Sequence, residues 1–156
     1  MRILIIRHGD SDYKTDSLTE KGQREAELLG QRLKDESITK IYVSPLGRAQ
    51  LTAQPTLDNT GLPKTTLDWL REFPLRVKTP FETKHHADTS CPWNMPPEEW
   101  ADIDNIDDPK KWREADIYEG TGIVELYDDI CENFDKLIAE HGFIKEGALY
   151  RIKAGF

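Results

Sequence analysis

Close to its start the chain carries a continuous apolar and mostly β-branched run, Ile3–Ile6, which stops shortly before Gly9. Such a run is typical of a strand buried on both faces of a parallel sheet. A polar loop is predicted over residues 10–16. A helix then begins near Ser17 or Thr19, since either side chain can cap it and Ser17 with Glu20 has capping-box spacing. The predicted inward face of this helix is narrow and comprises Ala26, Leu29, Gly30 and Leu33.

The same alternation of apolar run and helical spacing then repeats. Ile38–Val43 predicts a second strand, 47–59 a helix, and Thr65–Leu70 a third strand. Strand, helix, strand, helix, strand is the signature of βαβ units. The predicted fold class is therefore α/β, with a mostly parallel sheet and helices on its faces.

Residues 74–120 interrupt this rhythm and are rich in proline and tryptophan. We interpret them as an inserted cap segment within a single domain over 1–156, with one short helix at Pro97–Ile103. The cap tryptophans, which we expect to pack the cap onto the sheet or to shape a substrate pocket, are Trp93, Trp100 and Trp112. After the cap, Gly122–Glu140 is predicted to be a long helix with Gly142 as its C-terminal cap, and Leu149–Ile152 a last strand.

Charge and composition narrow the classes of function. The 156 residues carry 29 acidic and 21 basic side chains, a formal net charge of −8. That balance argues against a nucleic-acid or anionic-membrane partner, either of which needs a basic face. The two cysteines are far apart and have no metal-ligand spacing, so we expect reduced thiols. The N-terminal apolar run is too short for a signal peptide or a membrane span, and a cytoplasmic location is expected.

Three predicted strand exits carry the candidate chemistry. His8, after the first strand, can attack phosphorus, and Arg7 beside it can hold phosphoryl oxygens. Arg48 follows the second strand at a helix N-terminus, where an anion is favoured. Glu72, after the third, can protonate a leaving oxygen if burial raises its pKa. Each residue alone also has an ordinary structural interpretation, but three strand exits that together supply a nucleophile, an anion clamp and an acid favour a phosphoryl-transfer site.

In this combination the chain resembles the histidine phosphatase superfamily, which includes the cofactor-dependent phosphoglycerate mutases. The segments that carry the resemblance are residues 4–10 (LIIRHGD), 18–22 (LTEKG), 44–49 (SPLGRA) with Thr52-Ala53, and 71–73 (REF). Residues 120–156 are similar to the long helix and hairpin of the family. The resemblance implies a phosphoglycerate mutase-like, three-layer fold with helices on both faces of the sheet.

The resemblance also implies a two-step reaction on a small phosphorylated molecule. His8 takes the phosphoryl group as a phosphohistidine, Arg7 and Arg48 neutralise its charge, and Glu72 acts first as acid and then as base. No metal and no cofactor are expected, because the arginines supply the charge stabilisation that magnesium gives in other phosphoryl-transfer enzymes.

Two departures from the family pattern affect this prediction. The asparagine that many mutases carry after the first motif is replaced in the stretch Asp12-Tyr13-Lys14, which favours a phosphatase over a mutase. The second catalytic histidine of the family has no convincing counterpart in His85, His86 or His141. The chain is therefore expected to be C-terminally incomplete, with impaired activity and an open sheet edge through which it forms a homo-oligomer. The alternatives left open are a mutase-type phosphotransferase and a non-catalytic fragment that binds phosphorylated ligands.

Overall fold

The computed structural model describes residues 1–74, 76–78, 89–90, 97–101, 104, 108 and 111–155. The chain divides into two compact units, Met1–Arg71 and Glu72–Phe156. No helix in these described ranges is long and apolar enough to cross a membrane.

The first apolar run does not form the predicted strand. Residues 1–9 have no regular secondary structure, and all four side chains of Ile3–Ile6 are exposed, Ile5 to 90%. A strand is stabilised by hydrogen bonds to a neighbour, and no strand of the described residues pairs with this run. The prediction of a buried first strand is therefore wrong here, and self-association through its edge stays a prediction without the strand that motivated it.

A short hairpin and a helix follow. Strand β1 (Ser11–Asp12), within the segment predicted as loop, pairs antiparallel with β2 (Ser17–Leu18), which lies where the helix was predicted to begin. Helix α1 (Glu20–Leu33) is capped by Thr19, whose hydroxyl accepts the Gly22 amide at 3.1 Å. Ser17 lies in β2, so the capping box with Glu20 does not form. The buried face of α1 is close to the predicted one and consists of Gly22, Ala26, Gly30 and Leu33.

The central βαβ unit is confirmed. Strand β3 (Ile41–Val43) leads into helix α2 (Gly47–Thr60) and pairs in parallel with β4 (Lys64–Thr66). Gly61 ends α2 in the left-handed conformation, at φ 67°. Helices α1 and α2 pack closely at Gly30, which has no side chain. A Cβ at this position would lie 2.9 Å from Pro55. The predicted third strand is shorter than expected, since a 3₁₀ helix takes over at Asp68–Leu70.

The second unit combines short antiparallel strands with one long helix. Strand β5 (Val77–Lys78) pairs with β6 (Thr89–Ser90), and helix α3 is Pro97–Ala101, within the predicted bounds. Two 3₁₀ helices, Lys111–Glu114 and Asp116–Tyr118, precede helix α4. The final elements are helix α4 (Ile123–Glu140) and an antiparallel hairpin of β7 (Phe143–Glu146) with β8 (Leu149–Ile152).

The predictions for the second unit have mixed outcomes. The long helix, with Gly142 at φ 84° after it, and the last strand are confirmed. Trp112 packs within this unit, with its ring centroid 5.4 Å from that of Tyr118 and 5.0 Å from that of Tyr127. Several residues of the predicted cap lie outside the described ones, namely His85, His86, Cys91 and Trp93.

The α/β class holds, but the finer architecture is not confirmed. Four two-stranded sheets are found in the described ranges, and three of them are antiparallel; the parallel one is β3 with β4. A mostly parallel three-layer arrangement is therefore not observed. The single domain and the cap over 74–120 stay predictions.

Candidate active site

The imidazole of His8 has a defined hydrogen-bonding state. Its Nδ1 lies 2.8 Å from the carbonyl oxygen of Gly9. A carbonyl oxygen only accepts, so Nδ1 carries the proton and donates it. The neutral ring then has its lone pair on Nε2, the nitrogen that a nucleophilic histidine needs. Local backbone geometry thus selects the tautomer.

His8 lies in an open cavity of about 240 Å³ on the first unit. Two cationic side chains, Arg7 and Lys21, and two acidic ones, Asp10 and Glu25, line it. The remaining lining residues are His8, Gly9, Ser11 and Tyr13. The volume fits a small polar group rather than a large apolar ligand.

The backbone around His8 is held on helix α2 by one hydroxyl. The Gly9 amide donates to Thr52 Oγ1 at 3.0 Å, and that hydroxyl donates to the Arg48 carbonyl oxygen at 2.7 Å. Thr52 is buried, so both bonds are sheltered from water. The nucleophile candidate and Arg48 are thereby connected through the first turns of α2.

The same segment is held on helix α1 by close backbone contact. A Cβ at Gly22 would collide with the carbonyl oxygen of Asp10, and one at Gly9 would lie 2.9 Å from the carbonyl oxygen of Gly22. The Asp10 amide donates to Glu25 at 2.8 Å, and its carbonyl accepts from the Thr19 amide at 3.1 Å. Both glycines are needed because the two backbones touch.

Arg48 is held by an acidic partner that the sequence analysis did not single out. Its Nη1 donates to Asp16 Oδ1 at 2.6 Å, and the Gly47 amide donates to Asp16 Oδ2 at 2.6 Å. Arg48 is 8% exposed, whereas the Asp16 side chain is 41% exposed. The Gly47 amide is the main cause that holds the pKa of the Asp16 carboxyl below its ordinary value; desolvation opposes this shift and Arg48 adds to it.

The ring of Tyr13 contacts both candidate residues. Its centroid lies 6.1 Å from that of His8, with the two planes at 85°, and the Arg48 guanidinium carbon lies 5.1 Å from it. The first distance and angle describe an edge-to-face aromatic pair, and the second a cation–π contact. Tyr13 lines the cavity and contacts Arg48. Arg48 itself is not among the cavity-lining residues of the range 1–71.

Comparison with known proteins assigns the chain to a family. The sequence model of the histidine phosphatase superfamily (branch 1) matches residues 3–141. The chain is a histidine phosphatase superfamily member. Named relatives align over a shorter stretch. The chain is 36% identical over 86 residues to a probable phosphoglycerate mutase GpmB of Yersinia enterocolitica, and 37% identical over 86 residues to that of Yersinia pestis strain Pestoides F. Each alignment covers 49% of this chain and 40% of the relative.

In this member of the histidine phosphatase superfamily, three of the four predicted site residues lie in the first unit. Arg7 and His8 both line the cavity. Arg48 does not line it but contacts Tyr13, which does. Glu72 is exposed and belongs to the second unit, so the burial on which its role as an acid depended is not observed, and that role stays a prediction. His141 ends helix α4, next to Gly142, the residue predicted as the C-terminal cap of that helix.

Two residues in contact with the candidate site residues, Asp16 and Tyr13, were not predicted from the sequence. Asp16 has φ 48°, a left-handed conformation that aspartate tolerates better than most residues. An aspartate just after a polar turn was therefore the available signal. Tyr13 had none, because its contacts depend on where α2 lies. In the described part of the chain, no group of three or more His, Cys, Asp or Glu side chains is placed to hold a metal ion.

Proposed function

We propose that this histidine phosphatase hydrolyses a small phosphomonoester through a phosphohistidine on His8. The observation that carries the proposal is the bond from His8 Nδ1 to the Gly9 carbonyl, because it leaves the lone pair on Nε2. The cavity that His8 lines also contains Arg7, a side chain suited to a phosphoryl group.

In the first step, Nε2 attacks phosphorus. A nitrogen–phosphorus bond forms, the bond from phosphorus to the ester oxygen breaks, and the leaving oxygen takes a proton from solvent water, which has access to the open cavity. The His8 ring becomes positively charged, and its Nδ1 keeps the proton that it donates to the Gly9 carbonyl oxygen. Arg7 and Arg48 stabilise the charge on the transferring oxygens.

In the second step, water attacks the phosphohistidine. A second water molecule accepts a proton from the attacking one, the nitrogen–phosphorus bond breaks, and Nε2 regains its lone pair as phosphate leaves. Arg48 keeps its bond to Asp16 throughout, since a guanidinium has five N–H donors and one anion does not exhaust them.

A mutase is the second candidate, favoured by the printed names of the relatives. A mutase must shield its phosphohistidine from water until the acceptor returns. The cavity of the first unit is open and one of its walls, Tyr13, is mostly exposed, which supports hydrolysis instead. Release of inorganic phosphate in the presence of phosphoglycerate, without formation of its isomer, distinguishes the phosphatase from the mutase.

The deciding experiment is intact mass after incubation with acetyl phosphate. We expect an acid-labile phosphate adduct on the wild-type chain and none on His8→Ala. His141→Ala is the matched control, because it removes a histidine that is not among the residues lining the cavity and should leave the adduct in place. A folded wild-type chain without an adduct contradicts the proposal and favours a non-catalytic phosphate-binding module.

A further inference from the structure

Tyr13 is held in place although most of its side chain faces solvent. The residue is 62% exposed, yet its ring contacts His8 on one side and the Arg48 guanidinium on another. An exposed tyrosine without a role is free to sample other rotamers in water. Here one ring contacts two side chains that come from separate parts of the chain.

The backbone that carries Tyr13 is also fixed. The Asp12 carboxylate accepts the Lys14 amide and the Thr15 hydroxyl, both at 3.0 Å, so the turn closes around Tyr13. Strands β1 and β2 pair on either side of this turn. The ring therefore starts from a defined position and does not rely on His8 or Arg48 alone for its place.

We propose that Tyr13 is a positioning residue for phosphoryl transfer, which orients the His8 imidazole and the Arg48 guanidinium with a single ring. The proposal rests on the proposed function. The Gly9 carbonyl holds one ring nitrogen of His8, and contact with Tyr13 restricts the remaining tilt of the imidazole. The face of the same ring supports the guanidinium, whose far end is held by Asp16. Tyr13 supplies no proton and forms no bond to phosphorus.

This role makes a specific demand on the side chain. An aromatic ring is required, because both contacts depend on its quadrupole and flat shape. The hydroxyl is not required. Tyr13→Phe should therefore keep the function, whereas Tyr13→Leu, of similar apolar character but without a ring, should lose it. A purely structural role would instead appear as a change in stability.

The test is the rate of phosphohistidine formation with acetyl phosphate, followed by quenched intact mass. We expect Tyr13→Phe to stay within about twofold of wild type and Tyr13→Leu to be slower by roughly tenfold, with an unchanged melting temperature. The His8 ring-proton resonances, shifted by the adjacent tyrosine ring, should move in Tyr13→Leu and stay in Tyr13→Phe. Tyr150→Leu, the same change at a partly exposed tyrosine of β8, is the control and should keep the wild-type rate.

The outcomes separate this proposal from the proposed function. Wild-type rates in Tyr13→Leu, with an adduct on the wild-type chain, overturn the positioning role alone. Equal losses in Tyr13→Phe and Tyr13→Leu also overturn it, since the hydroxyl would then be the working group. No adduct on the wild-type chain overturns both proposals. If Tyr13→Leu does not fold, Tyr13→Gln carries the same comparison with a soluble, non-aromatic side chain.

Discussion

Two apolar runs of the first unit adopt different structures: one is exposed and has no strand partner among the described residues, and the other ends in a paired strand. Ile3–Ile6 leads to Arg7 and His8, has no strand partner and is exposed. The run ending in β3 leads to Arg48, pairs with β4, and buries Val43 to 5% exposure. The second run is followed by a helix that returns the chain to its own edge. A hydrophobic run therefore becomes a strand only where another segment offers it hydrogen bonds.

The difference extends to the two arginines. Arg7 is exposed, whereas Arg48 is buried and ion-paired. We expect Arg7→Met and Arg48→Met each to slow adduct formation by about 100-fold or more, because the proposed mechanism uses both guanidinium groups as donors to the phosphoryl oxygens. Only Arg48→Met should also lower the Tm, because it removes the ion pair with Asp16. Differential scanning fluorimetry beside the rate assay measures both, and equal Tm values for the two variants would contradict the comparison. Arg48→Lys keeps the charge without the planar fork and should recover only part of the rate.

Substitution of Gly22 tests how tightly the N-terminal segment, which has no strand partner among the described residues, packs on helix α1. Glycine to alanine inside a helix normally stabilises by up to about 1 kcal/mol. At Gly22 the added methyl would meet the Asp10 backbone, so we expect net destabilisation on the order of 1–3 kcal/mol by urea unfolding. Gln23→Ala, at the next and exposed position, should stay within about 0.5 kcal/mol. A stabilised Gly22→Ala would show that the contact is not maintained.

The two runs can be compared directly by truncation. Val43→Ala removes buried methyl groups from β3 and should cost about 1–2 kcal/mol of unfolding free energy. Ile5→Ala removes a larger side chain, yet should change the unfolding free energy by less than about 0.5 kcal/mol, because that side chain is already in water. Denaturant titration of both variants gives the answer. A larger loss from Ile5→Ala would mean that the first run is buried in solution.

The smallest expected effect is a pH dependence at the Arg48 end of the comparison. The folded-state pKa of Asp16 is lowered, so its stabilising contribution is complete above the unfolded pKa of about 3.9 and is lost as the pH falls through the folded value. Wild type should therefore lose more stability than Asp16→Asn on acidification below about pH 4. Parallel melting curves over that range test this, and equal declines in the two proteins would exclude a stabilising role for the Asp16 carboxylate.

Features with a local cause were predictable from the sequence. The spacing and bounding glycines of α2 and α4 were sufficient for both helices, and the resemblance identified the family that comparison then confirmed. The fate of Ile3–Ile6 depended on a distant partner, which a local pattern does not contain. The same limit applies inside the site. The contacts of Asp16 and Tyr13 arise from how a turn meets a helix, whereas His8 could be proposed from the combination of motifs along the chain.

The Thr52 hydroxyl has a mechanical consequence. It accepts from the backbone of the residue after His8 and donates to the backbone of Arg48, one turn earlier in α2. A shift of α2 along its axis would therefore carry the Gly9 backbone with it, so the distance between the backbones of His8 and Arg48 would change little when the helix moves. Valine at this position would keep the shape of the side chain and lose that coupling.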